Sequence, residues 1–245
     1  MQDTTINFSI TKNGKNVDPE FYKWNESTRT FSTKLIGIVL NFENIDNCTF
    51  YLSNPNEFNW FGDSSTFITG NNCKFQTSSY CIFKTGSDCN FVTGSNCIFK
   101  TERNCIFETQ ENCMFYSDNN CKFKTGSRCK FQTNFNCDFK TENNCIFETE
   151  FGCKFETGND CIFDGHSSSV FKTGSNCIFK VYKDCSFETG STCIVFIKSK
   201  NKKFQLPKNQ KIKLIKINEE KYELIKINKT ETNDIKIKTL NDIIS

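Results

Sequence analysis

From residue 65 to residue 197 the chain repeats one eight-residue phrase without a slip, and that period limits the fold more than any other feature. Copies read YCIFKTGS, NCKFKTGS and DCSFETGS. Numbered from the cysteine slot, they begin at every eighth residue from Ser65 to Cys193, 17 copies in all, with serine replacing cysteine at Ser65 and Ser169. Within a copy the inward candidates sit two apart, as in Cys97, Phe99 and Thr101, with Ile98 and Lys100 between them. A period of two is strand periodicity and places Cys, Phe and Thr on one face. Phe holds the third position from Phe67 to Phe187, and Val195 replaces it in the last copy. The three residues that follow, such as Gly94-Ser95-Asn96, are turn formers. Five residues of strand and three of turn, repeated with no helix signal, predict a solenoid whose units stack to bury a continuous core.

Eight residues cannot close a coil, and the position after the cysteine indicates how many copies do. After odd-numbered slots it reads Thr66, Ile82, Ile98, Met114, Lys130, Ile146, Ile162, Ile178 and Ile194. After even-numbered slots it reads Lys74, Asn90, Ile106, Lys122, Asp138, Lys154, Val170 and Ser186. An eight-residue motif with a sixteen-residue modulation implies two strands per coil and two unlike outward faces. A triangular coil would scatter the isoleucines over three faces. The fold expected is therefore all-β: a flat two-sheet parallel β-solenoid with 16 residues per coil, capped at both ends by short β segments. About eight and a half coils at ~4.8 Å each would give a length of roughly 40 Å. Phe faces Phe across the middle, and Cys faces Thr at each margin.

The cysteines fit this register as buried small hydrophobes. All 16 occupy the repeat slot or, at Cys48, a degenerate first copy reading CTF. There is no Cys-x-x-Cys pair and His166 is the only histidine, so no zinc site, other metal site or cofactor is expected. In-register parallel neighbours point side by side, which suits disulfide geometry poorly. Reduced structural thiols, and hence an intracellular protein, are the expectation. No apolar run reaches the length of a membrane span, and MQDTTINFS does not read as a signal peptide, so no membrane partner is expected.

Three regions are expected: residues 1–60 as an N-terminal cap, 61–197 as the octapeptide solenoid, and 198–245 as a C-terminal β cap and tail. In the first, Phe21-Tyr22-Lys23-Trp24 and Thr30-Phe31-Ser32 flank a turn as a hairpin, and residues 35–42 are apolar enough for a buried strand. In the last, residues 211–217 and 221–227 read as a hairpin, with Ile235-Lys236-Ile237 as a third segment. From Phe196 onward 13 Lys stand against 6 acidic residues, giving +7 there and −4 elsewhere in a chain of net charge +3. Because the lysines alternate with Ile, they read as a solvated strand face, and nucleic acid is not expected as a partner.

The phrase N-C-x-F-x-T-G-S, the Trp-containing N-terminal hairpin and the closing C-I-V-F strand resemble octapeptide-repeat proteins of large DNA viruses and marine phages. The resemblance covers residues 65–197 well and the caps loosely. It implies viral origin, in host cytoplasm or virion, and carries no assigned chemistry.

Three functions compete on the sequence. The first is a non-enzymatic structural or interaction protein presenting flat faces to an unknown protein partner. The second is ice binding, which needs outward threonines, whereas Thr69, Thr77, Thr85 and Thr93 share parity with the inward Phe. The third is a carbohydrate-active β-helix enzyme, for which only scattered Glu108, Glu148 and Glu156 are on offer. No catalytic residue is assigned; His166 stands alone in a turn beside Asp164. The strongest site reading is an interface: Ile82, Ile98, Met114, Ile146, Ile162, Ile178 and Ile194 recur on one outward face, broken by Lys130, and point to a homodimer.

Overall fold

The structure, a computed structural model, describes residues 8–42, 45–52, 64–165, 167–199, 202–216 and 222–227. The chain divides into two compact units, Met1–Lys130 and Phe131–Ser245. Each is a two-sheet parallel β-solenoid with 16 residues per coil.

In the first unit the repeat strands alternate between two sheets. One sheet carries Thr66–Thr69, Ile82–Lys84, Ile98–Lys100 and Met114–Ser117, and the other carries Lys74–Gln76, Asn90–Val92, Ile106–Glu108 and Lys122–Lys124. Strands pair in parallel with the copy sixteen residues on, so Phe83 opposes Phe99 and Phe91 opposes Phe107. The regular strand is three or four residues long, shorter than the five the pattern suggests. Ladder bonding nevertheless continues past it. The Ile98 N–H donates to the Cys81 carbonyl at 2.9 Å and the Thr85 N–H to the Lys100 carbonyl at 3.0 Å.

Parallel stacking starts well before the regular repeat. Thr30–Thr33 pairs in parallel with Thr49–Leu52, and Ile38–Phe42 with Thr66–Thr69. The loops between these early strands have other lengths than the repeat, so no period betrays them. The expected hairpin forms from Tyr22–Asn25 and Thr30–Thr33, and Ser9–Lys12 closes the other sheet antiparallel to Ile38–Phe42. These elements seal the end of the core with aromatic rings. Phe8 stacks on Phe42 at 4.4 Å, and Trp24 packs against both.

The second unit repeats the plan. Ile146–Glu148, Ile162–Asp164, Ile178–Val181 and Ile194–Ile197 form one sheet, and Asp138–Lys140, Lys154–Thr157, Val170–Thr173 and Ser186–Glu188 the other. Its end is closed by antiparallel strands, Lys202–Gln205 on Ile194–Ile197 and the hairpin Lys211–Lys216/Tyr222–Lys226 on Ser186–Glu188. Ile212 and Leu214 are buried while Lys211 is exposed, as the Ile/Lys alternation requires. The expected third segment at Ile235 lies outside the described residues.

The core is a pair of phenylalanine files. From Phe67 to Phe187 no phenylalanine at the third position of the repeat is more than 3% exposed. Along each file of the first unit, successive repeat rings lie 4.8–4.9 Å apart and within 8° of parallel. Across the core, rings of facing strands meet edge to face at 5.2–5.3 Å from Phe75 to Phe123. The second unit uses the same geometry, with Phe147 stacked at 4.8 Å on Phe131 and on Phe163. Both contact types suit the ring quadrupole, and the stacking distance equals the coil spacing of a parallel sheet.

Candidate interaction faces

The inward side chains are occupied by structure. Cys97 Sγ lies 3.5 Å from the Ser95 carbonyl and 3.7 Å from that of Ser78 in the preceding coil, so the thiol donates to turn carbonyls beneath the corner. Ser169 makes the same bond, its Oγ donating to the Ser167 carbonyl at 3.4 Å, which is why serine can hold the slot. The thiols form files along the axis; the Cys73 N–H, for example, reaches Cys89 Sγ at 3.4 Å. The 16 cysteines form no disulfide. Burial pushes the Cys185 thiol up to about 12, so at neutral pH it is a poor nucleophile. Thr85 and Thr125 donate to the carbonyls of Gly86 and Gly126, whereas the buried hydroxyls of Thr69, Thr133, Thr149 and Thr157 make no such bond.

The corners explain the rest of the phrase. The residue before each cysteine adopts positive φ, near +60° at Asn96, Asn144 and Asp184. Asn and Asp tolerate this left-handed region better than other residues with a Cβ, which accounts for their abundance at that position. The glycine two residues earlier serves a different end. A Cβ on Gly86 would stand 2.2 Å from Asn71 Oδ1, and that oxygen accepts from the Ser87 N–H at 2.8 Å. Glycine therefore leaves room for a side chain of the preceding coil to satisfy the next turn.

The outward positions are the surfaces on which a partner could act. In the first unit Ile82, Ile98 and Met114 stand in register on one sheet; in the second, Ile146, Ile162, Ile178 and Ile194 do so. Ile82 is 43% exposed and Ile146 and Ile162 are 37% exposed, while Ile98, Met114, Ile178 and Ile194 are half-buried. Neighbours one coil away cover part of each side chain, so the files already stabilise their own sheet. Lys130 is exposed at the corresponding sequence position. The opposite sheets are not uniformly polar: Ile106 and Val170 at the second position and Val92 at the fourth are each about half exposed there.

Beside the apolar files runs a second outward file at the fourth position. On the sheets without the Ile files it carries pairs of opposite charge, with Glu108 to Lys124 at 2.5 Å in the first unit. In the second unit Glu156 meets Lys172 at 3.6 Å and Glu188 meets Lys211 at 3.8 Å. Two of the three glutamates considered for catalysis are thus held by lysine. The third, Glu148, stands in register with Asp164, which pairs with Lys198. His166 lies outside the described residues. In the second unit Phe135 and Phe151 stack at 5.0 Å in successive turns, Phe151 being 49% exposed.

Among the described residues no group of three His, Cys, Asp or Glu side chains could hold a metal ion. None of the described helices is long and apolar enough to cross a membrane. Comparison with family models, with curated proteins and with solved structures returned no match for this chain.

Proposed function

We propose that this chain is a non-enzymatic structural or interaction protein whose β-solenoid scaffold presents flat faces to partners and self-associates as a homodimer through its isoleucine files. One observation carries the reading: β-branched side chains recur in register at every coil from Ile146 to Ile194 and stay partly open to solvent. A flat apolar row of this kind is complementary to itself, and a two-fold interface lets each copy cover the other. Viral origin, with action inside the host cell or virion, rests on the resemblance of the repeat phrase alone.

Ice binding draws less support, because the threonines that would have to point outward, such as Thr77, Thr85 and Thr93, are buried at the margins of the core. Light scattering on wild type and on Ile98→Lys with Ile162→Lys tests the proposal. Wild type should have the mass of two chains at micromolar concentration, and the doubly substituted protein the mass of one. A monomeric wild type refutes self-association.

A further inference from the structure

The isoleucine files of the two units differ in what stands beside them. In the second unit Ile146, Ile162, Ile178 and Ile194 lie in register at successive coils. Two residues further along each strand, on the same outward face, stand Glu148, Asp164, Lys180 and Phe196. Asp164 pairs with Lys198 and lies in register with Lys180, and the Lys203 ammonium sits over the Phe196 ring, 5.9 Å from its centre. Charges of both signs therefore flank this file. In the first unit the same places beside Ile82 and Ile98 hold Lys84 and Lys100, in register with each other. Both lysines are exposed, and among the described residues neither belongs to an ion pair. Like charges directly opposed across neighbouring strands are destabilising, and nothing beside these two offsets them.

We infer that the second copy docks on the second unit alone, isoleucine file against isoleucine file with the order of coils reversed. This deepens the self-association proposed above and rests on it. Place the two-fold axis along the strand direction, midway between Ile162 and Ile178. Ile162 of each copy then covers Ile178 of the other, and Ile146 covers Ile194. The flanking row is reversed with the file and stays beside it. Asp164 comes to lie across from Lys180 of the other copy, so the row that Lys198 has already brought towards neutrality meets no like charge there. Glu148 comes opposite Phe196 and the lysine over its ring. The first unit offers no equivalent. A two-fold that covers Ile82 with Ile98, or either with its own counterpart, lays lysine over lysine. Like charges opposed at a contact exclude a partner, so Lys84 and Lys100 keep the first unit's file open to solvent.

Substitutions in one unit at a time provide the test. Ile162→Glu alone and Ile178→Lys alone should each weaken association about tenfold or more, since each sets a charge on the apolar contact. An equimolar mixture of the two should recover most of the wild-type association. In the mixed dimer Glu at 162 faces Lys at 178, and the other contact keeps isoleucine on both sides. Ile98→Lys should associate like wild type. Sedimentation of each sample over a dilution series reads the outcome, with circular dichroism melts checking that the variants fold; Ile162→Ser, which should also weaken association, replaces a charged variant that does not. If Ile98→Lys weakens association as much as Ile162→Glu, the assignment to the second unit fails. If the mixture does not recover, the reversed register fails. Either result leaves the isoleucine interface standing, whereas a monomeric wild type overturns both proposals.

Discussion

Replacing Phe99 by alanine removes a ring with four ring neighbours. It stacks on Phe83 at 4.9 Å and on Phe115 at 4.8 Å, and it meets Phe91 and Phe107 edge to face, each at 5.2 Å. Phe99 is fully buried, so its loss carries both the transfer term and a cavity, about 3–5 kcal/mol for Phe→Ala in a core. Aromatic pairs add about 0.5–1.5 kcal/mol each beyond burial. They do not sum, because the remaining rings shift, but they place the expected cost at the upper end, about 5 kcal/mol. Phe99→Leu, which nearly preserves volume, should cost under about 2 kcal/mol, and the difference between the two variants measures the cavity. Urea unfolding followed by circular dichroism gives both values. Because coils couple to their neighbours, hydrogen exchange in Phe99→Ala should quicken first in the coils of Phe83, Phe91, Phe107 and Phe115. A loss under about 1 kcal/mol, or faster exchange confined to the chain ends, would refute a core built on continuous ring files.

Two further outcomes follow from the corners and the thiols. Gly86→Ala should cost about 1–2 kcal/mol, since the new methyl displaces Asn71 Oδ1 from the Ser87 N–H; in the Asn71→Ala background the same change should cost much less, and additive costs in a double-mutant cycle would rule out that explanation. Thiol titration in denaturant without reductant should count all 16 cysteines, and a count near zero would mean they are bonded. For Cys185, raised from 9.0 to about 12 by burial, the thiol is protonated in folded and unfolded chain alike below about pH 9, and there its contribution to stability is complete. Above that pH only the unfolded chain ionises, so stability should fall as pH rises from about 9 towards 12, and Cys185→Ser should flatten that decline.

Much of the architecture is written in the periods. Alternation by two, an octad without insertions and a sixteen-residue modulation leave one geometry in which every third-position Phe points inward and every second copy stacks on its like. That conclusion needs no knowledge of distant contacts, because each residue's environment is set by its own place in the phrase and by a copy of itself one coil away. Other properties depend on parts of the chain that share no period. The parallel stacking of Thr30–Thr33 and Ile38–Phe42 is invisible in the pattern, because irregular loops carry the chain between coils there. The role of Gly86 is equally hidden, since it is defined by a side chain of the preceding coil, Asn71, on a neighbouring turn. Nor does a strand pattern reveal how far Ile98 is covered by Ile82 and Met114, or that Lys84 and Lys100 lack the opposite-sign neighbour that Glu108 has in Lys124. Periodicity determines which way a side chain points. Only the stacked structure decides what it meets, because that partner is fixed by the register between coils.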